Sequence, residues 1–125
     1  MSTNRSALIV DDNWQLRELV KMTLAFSDFE LHEAEDGQEA LKLIKAIKPE
    51  VVLLDIMMPG ELSGLDVCRE IKADRDLSDI RVIILSAKGQ KVDLEAGGHA
   101  GADAYFVKPF SPLSLLDSLR GVSAS

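Results

Sequence analysis

The chain has 125 residues, 46% hydrophobic and 28% charged, which suits one domain with a substantial core and leaves too little for two ordinary ones. A net charge of −7 makes the nucleic-acid backbone an unfavourable direct partner, and a lone cysteine, Cys68, excludes an internal disulfide and suits a reducing compartment. No stretch reaches the ~20 apolar residues of a membrane span, and polar Met1 to Arg5 does not open a signal peptide. A single cytoplasmic unit over residues 1–125 is therefore expected, with its core near 6–120 and frayed ends, either monomeric or one part of a longer chain.

In chain order, Ala7-Leu8-Ile9-Val10 reads as a strand buried on both faces and ends in Asp11-Asp12. Asn13 is placed to cap a helix whose apolar stripe is Leu16, Leu19, Val20, Met22 and Leu24, with Trp14 at its start. Phe29 to Ala34 alternates apolar and polar, as an edge strand does. Asp36-Gly37 punctuates, Glu39 to Lys48 reads as a helix packing Ala40, Leu41, Ile44 and Ile47, and Lys48-Pro49 stops it.

Val51-Val52-Leu53-Leu54 is a second buried run, ending in Asp55. A loop from Ile56 to Gly64 leads into a helix near Leu65 to Ala73. Arg81 to Leu85 is the third run, ending in Ser86-Ala87. The helix expected from about Gln90 contains Gly97-Gly98, each costing ~1 kcal/mol relative to alanine in a helix interior. Ala104 to Val107 is the last strand, ending in Lys108-Pro109. Ser111 or Pro112 opens a final helix carrying Leu113, Leu116 and Leu119, and Gly121 to Ser125 is expected to fray.

Strands alternating with helices imply a three-layer α/β domain with a mostly parallel sheet. Right-handed crossovers then bring every strand's carboxyl end to one rim, where such sheets bind their ligands. Asp11-Asp12, Asp55, Ser86 and Lys108 are candidates to converge there. Taken singly, each has a plain structural reading: the Asp pair as a helix cap, Asp55 and Ser86 as turn or cap residues, Lys108 as a solvated charge. Together they make a cradle for a phosphoryl group. Crowded carboxylates repel one another unless a cation intervenes, and Mg²⁺ takes oxygen ligands while keeping several waters. An aspartate can itself attack phosphorus to give an acyl phosphate.

The order and spacing of Asp11-Asp12, Asp55 before Met58-Pro59-Gly60, Ser86-Ala87 and Gly101-Ala102-Asp103 through Lys108-Pro109-Phe110 resemble the receiver domain of bacterial two-component response regulators, of the single-domain chemotaxis kind. The likeness runs from about Ser6 to Arg120. It implies a flavodoxin-like (βα)5 fold with a five-stranded parallel sheet in the order 2-1-3-4-5. It implies that Asp55 accepts a phosphoryl group from a sensor histidine kinase or a histidine phosphotransfer protein. Mg²⁺ would be held by Asp12, Asp55, the Met57 backbone carbonyl and, through water, Asp11. Lys108 and Ser86 would bind phosphoryl oxygens, and Ser86 with Tyr105 would form the switch. The Lys108–Pro109 bond is usually cis in relatives.

Two departures stand out. The loop after Asp55 is one residue longer than usual, absorbed at Glu61-Leu62-Ser63, and Ser86 replaces the commoner threonine. In relatives the side chains at the positions of Met57 and Lys88 tune water access, so a bulky Met57 implies slow phosphate loss. The domain is expected to assist its own phosphorylation and dephosphorylation and to turn over no external substrate. The alternatives are a Mg²⁺-dependent phosphohydrolase with Asp55 as nucleophile, which would need an acid or base where Met57 stands, and a receiver-like interaction module that is never phosphorylated. Output would pass to a downstream protein or to an effector domain outside this chain. The expected state is a monomer or a weak phosphorylation-dependent dimer. Cys68 is read as a small buried hydrophobe, and His32 and His99 are assigned no role.

Overall fold

The computed structural model describes residues 5–25, 27, 29–56, 60, 62–86, 100–108 and 111–123, the side chains of 112, 118 and 120–123 excepted. Five strands, β1 (Arg5–Val10), β2 (Phe29–Ala34), β3 (Val51–Asp55), β4 (Arg81–Ser86) and β5 (Ala104–Val107), form one sheet in the order 2-1-3-4-5. Every pairing is parallel. The described helices are α1 (Trp14–Leu24), α2 (Gly37–Ile47), α3 (Gly64–Ala73) and α4 (Pro112–Ser123). The helix expected from about Gln90, with Gly97-Gly98 and His99, lies outside the described residues, as do Met57, Lys88 and Pro109.

Successive strand side chains point to opposite faces, and the continuous apolar runs fill both. Leu8, Val10, Val52, Leu54, Val82 and Ile84 pack on α2 and α3 through Ala40, Ile44, Val67, Cys68 and Ile71. Ala7, Ile9, Val51, Leu53, Ile83 and Leu85 pack on α1 and α4 through Val20, Leu24, Leu115 and Leu119. Each fully buried leucine or isoleucine contributes about 1.5–3 kcal/mol, so the central strands carry the core. β2 is an edge strand, as its alternation indicates. Cys68 is buried in the first cluster, its Sγ 3.3 Å from the Ala100 carbonyl, and burial pushes its thiol up to about 11.

Local signals set most helix ends. Asn13 Oδ1 accepts the N–H groups of Gln15 at 2.9 Å and Leu16 at 3.4 Å. Helix α2 begins two residues before the expected Glu39, because Asp36 caps it by accepting the Glu39 N–H at 2.8 Å while Glu39 Oε1 takes the Glu35 N–H. It closes on Lys48 in the left-handed region (φ 52°, ψ 63°), whose N–H returns to Ile44 O at 2.8 Å, and Pro49 prevents continuation. A capping box opens α3: Asp66 N–H donates to Ser63 Oγ, and Ser63 N–H to Asp66 Oδ2.

Three details differ from the expected pattern. In α1 only Val20 and Leu24 are fully buried, while Met22 is 66% exposed and Leu19 lies outside too, because the sheet takes a narrower stripe than the apolar spacing offers. In α4 the buried pair is Leu115 and Leu119, four apart, and Leu113 is 72% exposed. That helix also runs through Gly121 to Ser123. One glycine costs ~1 kcal/mol in a helix, too little to end it.

Candidate functional site

Register brings the polar endings together. Val10 pairs with Leu54, Asp55 with Leu85, and Ser86 with Val107, so Asp11, Asp55, Ser86 and Lys108 stand at one rim. Asp11, Asp55 and Ser86 are the buried polar side chains among the described residues, whereas Asp12 is exposed. The carboxylates of Asp11, Asp12 and Asp55 can each place an oxygen within 4.8 Å of the others. Lys108 reaches across the sheet to this cluster. Its Nζ lies 2.7 Å from Asp11 Oδ2 and 3.4 Å from Asp55 Oδ1, and its backbone N–H donates to Ser86 O at 2.6 Å.

The acids differ in their surroundings. Asp11 is doubly engaged, accepting Lys108 on one oxygen and the Asn13 N–H at 2.9 Å on the other. Asp12, half a turn ahead of α1, faces water and is the carboxylate best able to take up a hydrated ion. Among the described residues, this rim sets three carboxylates beside the Lys108 ammonium. An all-oxygen donor set with an open aqueous side fits a hard divalent cation of the Mg²⁺ type.

The backbone behind Asp55 is held by glycine. A Cβ on Gly64 would stand 2.1 Å from the Asp55 carbonyl oxygen, and the Gly64 N–H donates to Ile56 O at 3.0 Å. The first turn of α3 thus presses directly on the strand end that carries the acid. Leu62, in the loop before α3, closes over Gly37, where a Cβ would meet it at 2.7 Å.

Tyr105 is half-buried and packs beside the α2–α3 cluster, paired with Ile84 two residues before the rim position of Ser86. Trp14, first in α1, is 62% exposed beside the acids. Met57, expected to lend a carbonyl, falls outside the described residues.

Two polar clusters were not anticipated from the chain. Arg17 in α1 bonds the Asp11 carbonyl and Glu33, and Lys21 also reaches Glu33 at 3.2 Å. Burial pushes the Glu33 carboxyl up, but Lys21 and Arg17 outweigh it and hold it below the usual range. At the opposite rim Lys72 pairs with Asp103 at 2.9 Å. For Arg17 the available signal was a cation one helical turn past an acid pair. Lys72 carried none.

A parallel sheet in the order 2-1-3-4-5 with its functional groups at the carboxyl rim is the flavodoxin-like fold. The chain belongs to the response regulator receiver domain family, which matches residues 7–120. It is 41% identical over 118 residues to the phosphate regulon transcriptional regulatory protein PhoB of Pseudomonas aeruginosa, covering 94% of this chain and 51% of that protein. It is 39% identical over 113 residues to the DNA-binding response regulator MtrA of Mycobacterium tuberculosis, covering 90% and 48%. The chain spans about half the length of the curated relatives it matches. The chemotaxis protein CheY4 of Vibrio cholerae superposes with a TM-score of 0.87 at 28% identity, covering 96% of this chain and 99% of that one. The BeF3-activated DrrB receiver domain superposes at 0.89 with 28% identity, covering 98% and 100%. No helix among the described residues is long and apolar enough to cross a membrane.

Proposed function

We propose that this receiver domain is a phosphorylation-controlled switch whose acceptor is Asp55. The observation that carries the reading is Lys108 Nζ set between Asp11 and Asp55 inside a cluster of three carboxylates. An Asp55 oxygen attacks the phosphorus of a phosphohistidine on a sensor histidine kinase or phosphotransfer protein. The P–N bond breaks, the imidazole leaves with the electron pair, and an acyl phosphate remains on Asp55. Lys108 and the Ser86 hydroxyl bind the phosphoryl oxygens, and positioning with charge neutralisation supplies most of the rate.

Asp12, Asp55 and the Met57 carbonyl would hold Mg²⁺, with Asp11 acting through water. The ion would neutralise charge on the transferring oxygens. The BeF3-activated state of the DrrB relative supports a phosphoryl-sized pocket in this fold. Ser86 reaches a phosphoryl oxygen only by moving toward Asp55, and the vacated space lets Tyr105 turn inward, repacking β5. The changed surface acts on a downstream protein or an effector domain, with the switch working in the cytoplasm as a monomer or weak phosphorylation-dependent dimer. A net charge of −7 argues against direct contact of this domain with nucleic acid.

The test is intact-mass measurement after incubation with Mg²⁺ and acetyl phosphate. One added phosphoryl group is expected, lost in Asp55→Asn and without Mg²⁺; an adduct that survives in Asp55→Asn overturns the assignment. Met57→Asn should shed the phosphoryl group faster than wild type, since a side chain that shields the acyl phosphate is replaced by one that can hold water.

A further inference from the structure

Arg17 lies one turn into α1, and its guanidinium is directed back at the rim. Nη1 donates to the Asp11 carbonyl oxygen at 2.7 Å, Nε donates to Glu33 Oε1 at 3.0 Å, and Nη2 lies 3.6 Å from Glu35 Oε1. The side chain is only 11% exposed. One planar group thus joins the end of β1, the edge strand β2 and the residue just after it. The Asp11 carbonyl belongs to the peptide that links the two neighbouring acids. Asp11's own N–H is tied to Ala34 O at 3.1 Å, so the residue is held from β2 on one side and from Arg17 on the other. Asp12 has no such packing of its own, being exposed. Its carboxylate stays within reach of Asp11 and Asp55 only if the preceding peptide plane does not turn.

We propose that Arg17 is a positioning residue for the cation site: it fixes the Asp11–Asp12 peptide plane and thereby aims the Asp12 carboxylate. This rests on the Mg²⁺ reading above. Geometry and charge predict opposite effects here. A guanidinium near a cation site repels the ion, so charge alone makes loss of Arg17 strengthen Mg²⁺ binding. Loss of an outer partner that orients a ligand weakens metal binding, typically 10–100-fold. Lysine retains the charge but not the rigid fork.

The experiment is an NMR titration of wild type, Arg17→Met and Arg17→Lys with Mg²⁺ alone, reading the dissociation constant from backbone amide shifts, with melting curves alongside. Arg17→Met is expected to bind Mg²⁺ about tenfold more weakly, and Arg17→Lys also more weakly although its charge is unchanged. Phosphorylation by acetyl phosphate should return to the wild-type rate in Arg17→Lys once Mg²⁺ is saturating. If Arg17→Met does not fold, Arg17→Lys decides. Wild-type affinity in Arg17→Lys, or equal or tighter affinity in Arg17→Met, overturns the role of Arg17 and leaves the Mg²⁺ reading standing. No Mg²⁺ binding by wild type overturns both.

Discussion

Two lysine–aspartate clusters sit at opposite rims of the same sheet, and they are built differently. At the amino rim, Lys72 Nζ meets Asp103 Oδ2 at 2.9 Å, Ile80 O at 2.7 Å and Ser78 O at 3.2 Å, one acceptor for each ammonium proton. Asp103 Oδ2 also accepts the Val82 N–H at 2.8 Å. Gly101, at φ +94°, makes room for the lysine stem, since a Cβ there would stand 3.0 Å from Lys72 Cγ. One cation faces one anion and the remaining groups are backbone. At the carboxyl rim, among the described residues, Lys108 faces three carboxylates, one of them exposed. A balanced, saturated cluster staples the fold. A cluster rich in carboxylates, with one of them exposed to water, suits a cationic ligand.

The sharpest way to break that contrast is to remove each lysine in turn. Lys108→Met should slow phosphorylation by acetyl phosphate about 100-fold, the scale of losing one charged donor to transferring oxygens, as read from the rate of the mass shift. A wild-type rate would move Lys108 from the chemistry to the scaffold. Lys72→Met should leave the rate of the folded protein unchanged and lower its stability by about 1–2 kcal/mol, discounted for partial exposure. Urea denaturation measures this directly. An altered phosphorylation rate at full folding would show that the two rims are coupled.

The smallest effect sharpens the scaffold side. Ser63→Ala removes the α3 cap and should cost about 1 kcal/mol in the same denaturation measurement. Asp66, its capping partner, is held below the ordinary 3.8 by the Ser63 backbone N–H and then by its hydroxyl. A lowered folded pKa means that this stabilisation is present above the ordinary value and disappears as pH falls through the folded one. The stability difference between wild type and Asp66→Asn should therefore shrink in acid, below about pH 4. A difference independent of pH would show that the carboxylate charge is not what caps the helix.

Much of this was legible in the chain because the signals were local. Unbroken runs such as Val51 to Leu54 can be buried on both faces only in a covered parallel sheet, and each ended in a polar residue at the same rim. Asn13 marked a helix start, since a cap acts within three residues of itself, whereas Asp36 read only as punctuation although it caps α2. Asp11, Asp55, Ser86 and Lys108 followed from strand ends plus the rule that crossovers share one hand.

Other features depended on residues far apart in the chain. Leu19 and Met22 fit the helical stripe as well as Val20 and Leu24 do, yet only the docking angle against the sheet chose which were buried. Arg17 and Lys72 look like ordinary solvated helix cations in sequence. Their roles arose when β2 brought Glu33 beside α1, and when Gly101 and Asp103 closed over α3. The strand runs and caps are written in the chain because their energetics involve near neighbours. Which charges are paired and which are left open was decided by tertiary packing, because a long side chain's partner is whatever the fold places within reach.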